Sequence, residues 1–294
     1  MLIQLAHKLV RRRLRRLGIE SRQVEVAGCS LHYYEYRHPN PRGTLLLLHG
    51  LGTSSSTWFH LYPFLIKEHS VVALDLPGFG FSTVSNGRRF LFIDEHRTTL
   101  ERFVDRLGLD AFTLVGHSLG GWIATKYAAA HPQRVSHLVL INTAGVYVDG
   151  VDELLRAFDV RTTDDMQRLV DTMWYRYPWY FKLFLPAFRS ELVRRSVPEF
   201  VRSIRREDFF DGELQRLTMP AHLLWGIKDR LISTQTIRVL KEQLPQLQIE
   251  YIDACGHVPQ LKNPEAMVEI FRKILQRKDQ KESKALRHTS AAAL

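Results

Sequence analysis

A serine at position 118 stands in a five-residue pattern that can make a hydroxyl group reactive. The pattern is GHSLG (residues 116–120), and it follows the apolar run FTLV and opens the helical run LGGWIATKYAAA. A G-x-S-x-G pattern between a strand and a helix predicts a sharp turn that exposes the serine oxygen, with glycines where the backbone must close. Backbone N–H groups at the start of the helix favour negative charge at the same place. Ser118 is therefore predicted to be a nucleophile.

A serine hydroxyl needs a neighbouring base before it can attack, and thirteen histidines are available. Where a strand–serine–helix turn of this type is used, the order along the chain is nucleophile, acid and base. His257 alone lies in a loop after the last predicted strand, so it is the predicted base. His49 and His117 flank the serine in the predicted site, and we expect them to shape the turn and the adjoining loop.

The acid should follow a strand between the serine and the histidine. Asp229 does so in the segment WGIKD after the strand AHLLW, and it is the predicted acid; the alternative is an aspartate that only caps a turn. The other position at which an acid could stand is Asn142, which carries no charge. Asp75 belongs to the turn DLPGFG, and Asp253 is too close in sequence to His257 to orient it.

Hydrolysis through a serine also needs donors for the negative oxygen that develops on the substrate. The loop HGLG (residues 49–52) follows the third predicted strand, where a backbone N–H of this kind is expected. The N–H groups of Leu51 and Leu119 are therefore the predicted oxyanion donors. Removing one such donor typically costs ~10²–10³ in rate.

Strands and helices alternate along the chain in a way that would bring these residues to one edge of a sheet. Several apolar runs are continuous, as expected for parallel strands buried on both faces. The predicted strands are Val24–Ala27, Leu31–Arg37, Thr44–His49, Val71–Asp75, Phe112–Gly116, Leu138–Asn142, His222–Trp225 and Ile249–Ile252. The predicted helices between them are Ser54–Lys67, Asp94–Leu107, Leu119–His131, Thr234–Leu244 and Pro264–Gln276. The pattern predicts an α/β fold, a mostly parallel eight-stranded sheet with helices on both faces.

One segment interrupts the alternation and predicts an inserted helical cap. Residues 146–217 show helical periodicity without a buried strand run, so the predicted core comprises residues 19–145 and 218–277. The cap contains the aromatic run MWYRYPWYFKLFLPAF (residues 173–188). Pockets are lined mainly by apolar and aromatic groups, so we predict a substrate-binding role for four of its aromatic side chains: Trp174, Tyr177, Trp179 and Phe184. The alternative is that these rings form the cap's own small core.

The two ends of the chain carry most of its net charge of +10. Residues 1–18 read as an amphipathic helix with six basic residues and no acid, whereas the body between the ends is nearly neutral. This distribution excludes a basic stripe for nucleic acid. The helix could bind an anionic membrane surface peripherally, or it could pack on the domain with its arginines in water. The tail 278–294 is expected to be frayed, and its closing Ala291–Leu294 resembles a remnant of cloning.

Composition and motifs point to a reduced compartment and to chemistry without a cofactor. The two cysteines form no spaced pairs, no apolar run approaches the ~20 residues of a membrane-spanning helix, and no secretory leader is evident. We therefore expect a cytoplasmic protein, on the inner membrane surface if its first helix binds lipid. Neither a zinc motif H-E-x-x-H nor a dinucleotide loop G-x-G-x-x-G is present, so no metal or cofactor is expected.

Five separate segments over residues 24–276 resemble the α/β-hydrolase family: LLLLHGLG, DLPGFGFS, GHSLGG, WGIKD and CGHVPQLKNPE. More loosely, the segments NTAGVYVDGVDEL and TTDDMQRLV resemble lipolytic esterases related to monoacylglycerol lipases. The resemblance implies a triad of Ser118, Asp229 and His257, with Leu51 and Leu119 as oxyanion donors. Relatives often carry an acidic residue shortly after the histidine; this chain has VPQLK there, which bears on substrate or surface detail.

The expected function is hydrolysis of carboxylic esters with short to medium acyl groups, which would include monoacylglycerols as substrates. A second hypothesis is a carbon–carbon hydrolase of the meta-cleavage type, since those relatives keep the same triad. They usually have asparagine before the serine, whereas this chain has His117. A third hypothesis is an inactive hydrolase fold that serves as a binding protein, and the complete set of triad residues argues against it.

Overall fold

The computed structural model describes residues 2–85 and 87–276. The tail 278–294, predicted to be frayed, lies outside these residues. Within them, no helix is long and apolar enough to cross a membrane.

The centre of the fold is a nine-stranded sheet whose strands run mostly parallel. The strands are β1 Glu20–Val26, β2 Cys29–Tyr36, β3 Thr44–Leu48, β4 Ser70–Leu74, β5 Thr83–Val84, β6 Phe112–His117, β7 Val135–Ile141, β8 Ala221–Gly226 and β9 Gln248–Ile252. Their order is β1-β2-β4-β3-β6-β7-β8-β9, and β5 pairs separately with β2. The pairs made by β2 with β1, β4 and β5 are antiparallel, and the others are parallel.

The number of strands predicted from the sequence, eight, was wrong by one. The additional strand β5 has only two residues, which is too short to show the alternation on which strand prediction relies. The strand β1 also begins at Glu20, four residues before its predicted start. Its sequence ESRQVEV is largely exposed at the edge of the sheet, so no apolar run marks it.

Successive leucines of β3 show why the inner strands are continuously apolar. Leu46 and Leu48 belong to one buried cluster, whereas Leu45 and Leu47 belong to a second cluster. Side chains alternate along a strand, so the two clusters lie on opposite faces of the sheet. Each face therefore needs its own cover of helices.

Helices provide this cover on both faces. Their bounds are α1 Leu2–Arg16, α2 Tyr62–Leu65, α3 Ile93–Leu107, α4 Leu119–Ala130, α5 Val151–Arg156, α6 Thr163–Met173, α7 Leu185–Arg194, α8 Val197–Ser203, α9 Gln235–Gln243, α10 Pro259–Lys262 and α11, residues 264–276. Phe103 of α3 and Ile123 of α4 lie in the first cluster. Leu14 of α1 and Phe271 of α11 lie in the second. The predicted α/β class, with helices on both faces, is confirmed.

Two helical predictions need correction. The single helix expected over Ser54–Lys67 is a 3₁₀ turn, Ser55–Trp58, followed by the short α2, in whose first turn Pro63 lies. Proline lacks the N–H that would continue a helix through this point. The four-residue helix α10 was not predicted, because it is too short to show helical periodicity.

Helices alone fill the segment between β7 and β8. All residues from 146 to 217 are described, and none of them is in a strand. The helices α5 to α8 lie here, with one 3₁₀ turn between α6 and α7 and two more after α8, and we call this segment the cap. The longest of them, α6, begins with a capping box in which the side chains and backbone of Thr162 and Asp165 bond reciprocally.

Candidate active site

Ser118 lies in the predicted sharp turn between β6 and α4. Its backbone has φ 53° and ψ −117°, a conformation that is rare for a residue with a side chain. A Cβ atom at Gly116 would lie 2.4 Å from the Gly120 oxygen, and one at Gly120 would lie 2.4 Å from the Leu48 oxygen. Only glycine fits at either position, as the pattern predicted. The serine side chain is nearly buried, with 7% of the residue exposed.

The structure brings Asp229 and His257 together. His257 Nδ1 donates a hydrogen bond to Asp229 Oδ2 at 2.8 Å, and both side chains are buried. Asn142 Nδ2 donates to the same carboxylate oxygen at 2.6 Å. The backbone N–H groups of Leu231 and Ile232 donate to Oδ1 at 2.8 and 3.1 Å. Four donors thus hold the carboxylate in place and let it orient the imidazole.

Asn142 is a site residue that the sequence analysis set aside because it has no charge. Besides its bond to Asp229, its Oδ1 accepts a hydrogen bond from the Gly226 N–H at 3.2 Å. It has φ 41°, a left-handed conformation that asparagine tolerates better than most residues. Asn142 therefore joins the ends of β7 and β8 to the carboxylate. Its position at the end of a strand, between serine and histidine, was the available signal.

The loop that carries His257 is tied to the residue before the serine. His117 Nε2 donates to the His257 carbonyl oxygen at 2.8 Å, and the two rings lie 5.0 Å apart. Burial lowers the pKa of His117 well below its ordinary value, which keeps this ring neutral. A neutral ring that donates through Nε2 leaves its Nδ1 without a proton. His117 thereby places the histidine loop beside Ser118.

The loop after β3 packs directly on the serine turn. A Cβ atom at Gly50 would lie 2.7 Å from His117 Nδ1 and 3.2 Å from Ser118 Cβ, so only glycine allows this approach. His49 holds the loop, because its Nδ1 donates to the Gly50 oxygen at 2.8 Å and its Nε2 accepts from the Leu76 N–H at 2.9 Å. Burial lowers the pKa of His49, in agreement with this neutral form.

A buried carboxylate, Asp75, supports the far side of the same loop. Its Oδ1 accepts from the Ser55 N–H and hydroxyl at 2.7 and 2.6 Å, and its Oδ2 accepts from His32 Nδ1 and the Phe81 N–H at 2.7 and 2.9 Å. Burial alone would raise the pKa of Asp75, but the hydrogen bonds from His32 and Ser55 lower it to about 2. Asp75, which the sequence analysis assigned only to a turn, thus accepts four hydrogen bonds in a buried polar network.

Two cavities meet at the loop after β3. The smaller, about 340 Å³, is lined by Ser118 and by both predicted oxyanion residues, Leu51 and Leu119. The larger, about 540 Å³, is lined by residues of α1, the cap and the loop after β3. Leu51 and Phe158 belong to both linings, so these two residues separate the cavities. Most of the remaining lining of each cavity is apolar.

The four predicted aromatic residues are placed differently from one another. Trp174 lines the larger cavity. Tyr177 is half-buried and donates its hydroxyl to Asp171, and Phe184 is half-buried beside Phe188. Trp179 lies on the outer surface, 77% exposed. Of these four, only Trp174 therefore lines either cavity.

The 3₁₀ turn Trp179–Phe184 explains the outward position of Trp179. With three residues per turn, residues three apart share a side. Phe181 and Phe184 are the half-buried pair, and Phe181 lines the larger cavity. The pairs at 179 and 182 and at 180 and 183 face outward. Helical periodicity of 3.6 does not distinguish these sides, so the sequence analysis missed Phe181 and Phe188 as cavity residues.

The carbonyl end of α6 is attached to both loops of the acid–base pair. The Met173 oxygen accepts from the His257 N–H at 2.7 Å. The Thr172 oxygen accepts from the Arg230 N–H at 3.3 Å, and the Arg230 guanidinium donates to the Asp171 oxygen. These bonds use carbonyls that have no partner within the helix. The cap thus fixes the positions of the loops that carry Asp229 and His257.

Comparison with known proteins places this geometry in a family. The model of the alpha/beta hydrolase fold matches residues 43–212, which is more than half of the chain. The chain belongs to the α/β-hydrolase fold family. The matched region includes the serine turn and the loop after β3, and the resemblance drawn from the sequence motifs is confirmed.

Several named relatives of this α/β hydrolase are lipases. Lipase 3 of Moraxella is 27% identical over 230 residues, 74% of this chain and 72% of its own. Human monoacylglycerol lipase ABHD6 is 26% identical over 279 residues, 87% of this chain and 82% of its own. The crystal structure of a bacterial membrane phospholipase A has a TM-score of 0.81 and 28% identity, covering 95% of this chain and 91% of that one. The chain is a hydrolase of the lipase and esterase type.

Replacing Asp75 by asparagine should make folding stability less dependent on acid. The native pKa of Asp75, about 2, lies below its unfolded value near 3.8. The carboxylate therefore stabilises the fold above the unfolded pKa, by about 2 kcal/mol at neutral pH, and this contribution is lost as pH falls towards 2. Urea unfolding should show Asp75→Asn to be less stable than wild type at pH 7, with the gap roughly halved at pH 3. An equal gap at both pH values would contradict this account of the network.

Replacing Arg230 by methionine should lower activity without unfolding the protein. The variant keeps an unbranched aliphatic stem but loses the guanidinium bond to the carbonyl end of α6. A small displacement of the Asp229 loop should reduce kcat roughly three- to tenfold with little change in Tm. Lys228→Met, two residues away and also exposed, is the matched control for loss of charge. Equal kcat values for both variants and wild type would show that this bond does not position the loop.

Proposed function

We propose that this hydrolase cleaves carboxylic esters through an acyl-enzyme on Ser118. The serine oxygen attacks the acyl carbon while its proton passes to His257 Nε2, and Asp229 orients the imidazole and stabilises its positive form. The N–H groups of Leu51 and Leu119 bind the tetrahedral oxyanion. The carbon–oxygen bond breaks as His257 returns the proton to the alcohol. A water molecule, deprotonated by His257, then releases the carboxylic acid and restores Ser118.

The observation that carries the proposal is the buried contact between His257 and Asp229 beside the serine turn. The 2.8 Å bond fixes the imidazole through Nδ1, which leaves Nε2 for the proton of the nucleophile. Ser118, Leu51 and Leu119 line one apolar cavity, so nucleophile and proposed donors face the same space. An inactive binding protein would have no need to keep a buried carboxylate bonded to an imidazole at this place.

The two cavities support an assignment of the two halves of an ester. The smaller cavity contacts the nucleophile and suits the acyl chain, because Leu154 and Val201 are among its apolar lining. The larger cavity borders Val258, the residue after His257, which must protonate the departing alcohol. We infer that the acyl group is of short to medium length and that the alcohol lies on the side of the larger cavity. The similarity to monoacylglycerol lipase makes monoacylglycerols the first natural class to test.

A carbon–carbon hydrolase of the meta-cleavage type is the second candidate, since the same three residues serve it. Its diketone acid substrate needs a cationic partner in the pocket, and Arg230 lines the smaller cavity. Asp149 and Glu153 line that cavity too, and the Arg230 guanidinium already bonds to a carbonyl of α6. Two acids against one cation disfavour an anionic substrate. We therefore favour ester hydrolysis.

The proposed partners are a small-molecule ester and, through α1, a membrane surface. The exposed arginines of this helix support peripheral contact with anionic lipid. A cytoplasmic protein that visits the inner membrane surface is the corresponding proposal for location.

Replacing Ser118 or His257 by alanine should abolish ester hydrolysis, because nucleophile and base act as one unit. Residual catalysis from the oxyanion donors and from binding could remain at ~10³ over water. A fluorophosphonate probe should label wild type at Ser118 and leave Ser118→Ala unlabelled. Asp229→Asn should also be severely impaired, since the imidazole loses its orienting charge. Hydrolysis at the wild-type rate by Ser118→Ala, with its fold shown intact by circular dichroism, would remove the proposal.

Catalytic efficiency on p-nitrophenyl esters should rise from acetate to a medium chain and then fall. Each buried methylene is worth ~0.8 kcal/mol, about fourfold, until the smaller cavity is full. Leu154→Trp, in that cavity, should move the optimum to a shorter chain. The matched change Leu261→Trp, in the larger cavity, should leave the optimum in place and impair esters of bulky alcohols instead. If Leu261→Trp moved the chain-length optimum and Leu154→Trp did not, the acyl group would be assigned to the larger cavity and the alcohol to the smaller. Strong activity on a diketone acid with negligible ester cleavage would favour the second candidate.

A further inference from the structure

From Val10 onwards, the helix α1 lies with its apolar side on the domain, so this part of the helix has no apolar side available to a membrane. Leu14 is 1% exposed in the second buried cluster, and Val10 and Leu17 pack against the same cluster. The basic side chains of the helix are all exposed: Lys8, Arg11, Arg12, Arg13, Arg15 and Arg16. From Val10 onwards, the side of α1 that faces water is therefore cationic and has no apolar stripe.

An apolar surface of a different kind is present on the cap. In the 3₁₀ turn Trp179–Phe184, Trp179, Tyr180 and Leu183 are 77%, 51% and 70% exposed. Three large apolar side chains within five residues are unusual at a protein surface and indicate an interaction site. The exposed Lys182 lies between them, and the exposed Arg176 precedes them. We call the residues 179, 180 and 183 the cap knuckle.

The basic helix and the cap knuckle border the same cavity. Val10 of α1 and Phe181 of the knuckle turn both line the larger cavity, which continues to Leu51 beside Ser118. The neighbours of these two lining residues point outward, since Leu9 is 60% exposed next to Val10 and Tyr180 is exposed next to Phe181. One surface therefore combines a cationic rim, an apolar protrusion and an opening that leads to the nucleophile.

We propose that this surface docks on an anionic lipid bilayer, with α1 lying on the headgroups and the cap knuckle inserted below them. Basic residues are attracted to anionic headgroups, and tryptophan and tyrosine favour the depth at which apolar and polar layers meet. The knuckle supplies an apolar anchor that α1 from Val10 onwards does not, because the apolar side of this part of the helix is buried on the domain. A lipid ester could then enter the larger cavity directly from the bilayer; only this last step rests on the proposed function.

The charge pattern favours a bilayer over a protein partner. The exposed cations of this surface lie on α1 and the cap, the two parts of the chain that contribute Val10 and Phe181 to the larger cavity, and we describe them as a diffuse cationic rim: Lys8, the five arginines of α1, Arg176 and Lys182. A diffuse rim matches the continuous negative potential of a lipid surface. A second copy of the chain would present the same positive rim and would be repelled.

Vesicle binding by the full chain tests the proposal with two double variants. Arg12→Glu/Arg16→Glu changes the side of α1 opposite Leu14, and Tyr180→Ser/Leu183→Ser changes the knuckle while keeping Trp179 as a fluorescent reporter. The probes are phosphatidylcholine vesicles with and without phosphatidylglycerol. Wild type should bind the anionic vesicles only, less tightly as salt is raised, with a blue shift and protection of Trp179 from acrylamide quenching.

Each charge near an anionic surface is worth roughly fivefold in binding. The arginine variant should therefore bind anionic vesicles at least about 25-fold more weakly, and the knuckle variant should also bind more weakly and lose its blue shift. Matched controls are Arg102→Glu/Arg106→Glu, exposed on α3 at the other face of the sheet, and Tyr251→Ser, similarly exposed on β9. These controls should bind as wild type does.

Three outcomes would overturn the proposal. They are wild-type vesicle binding by both surface variants, an equal loss in the α3 control, and a wild-type dimer in solution that only the surface variants dissociate. Hydrolysis of a soluble short ester separates this proposal from the proposed function, because both surface variants should retain the wild-type kcat/KM. A wild type that binds vesicles but cleaves no ester would defeat the function and leave the docking surface standing.

Discussion

The buried carboxylate of Asp229 is the group on which the geometry of the candidate site depends. A charge removed from water must be matched by donors, and here four donors come from three separate parts of the chain. Asn142 supplies one from the end of β7, the loop after β8 supplies two, and His257 supplies the last from the loop after β9. Satisfying one carboxylate therefore brings together the ends of adjacent parallel strands. The sheet places these ends side by side, and the carboxylate sets their loops.

A second constraint, close backbone packing, brings the serine to the same point. The turn after β6 touches the loop after β3 so closely that Gly50 and Gly120 admit no side chain. His117 completes the contact, because its neutral ring lies against Gly50 and donates to the His257 carbonyl. Ser118 and the histidine loop are thus joined through one buried ring. The cap adds a third contact, because the carbonyl end of α6 accepts hydrogen bonds from the loops that carry Asp229 and His257. Since α6 also lines the larger cavity, the same helix bounds that cavity and positions both loops.

Much of this arrangement could be predicted from local sequence, because local chemistry determines it. The turn around Ser118 needs glycines at fixed spacing, continuous apolar runs reveal strands buried on both faces, and chain order singles out Asp229 and His257. Asn142 was not predicted as a functional residue, since its role comes from a contact with a residue 87 positions away. Asp75 was assigned to a turn for the same reason: its partners His32 and Ser55 lie on other segments. The two-residue β5 carries no periodic signal, and neither does the polar first half of the edge strand β1 before Val24.

The cap and the first helix show a different limit of sequence analysis. Periodicity shows that a helix has an apolar side, but it does not show what covers that side. Residues 1–18 allowed both a membrane helix and a packed helix, and the burial of Leu14 decides in favour of packing without removing the cationic side from water. In the cap, the aromatic run allowed every ring to be a cavity residue, and the three-residue period of one short turn divides the rings between cavity and solvent. The two results are complementary. From Val10 onwards, α1 packs its apolar side on the domain, whereas the outward side chains of the cap leave apolar surface exposed. The docking proposed above therefore combines the dense positive charge of α1 with the larger exposed apolar surface of the cap.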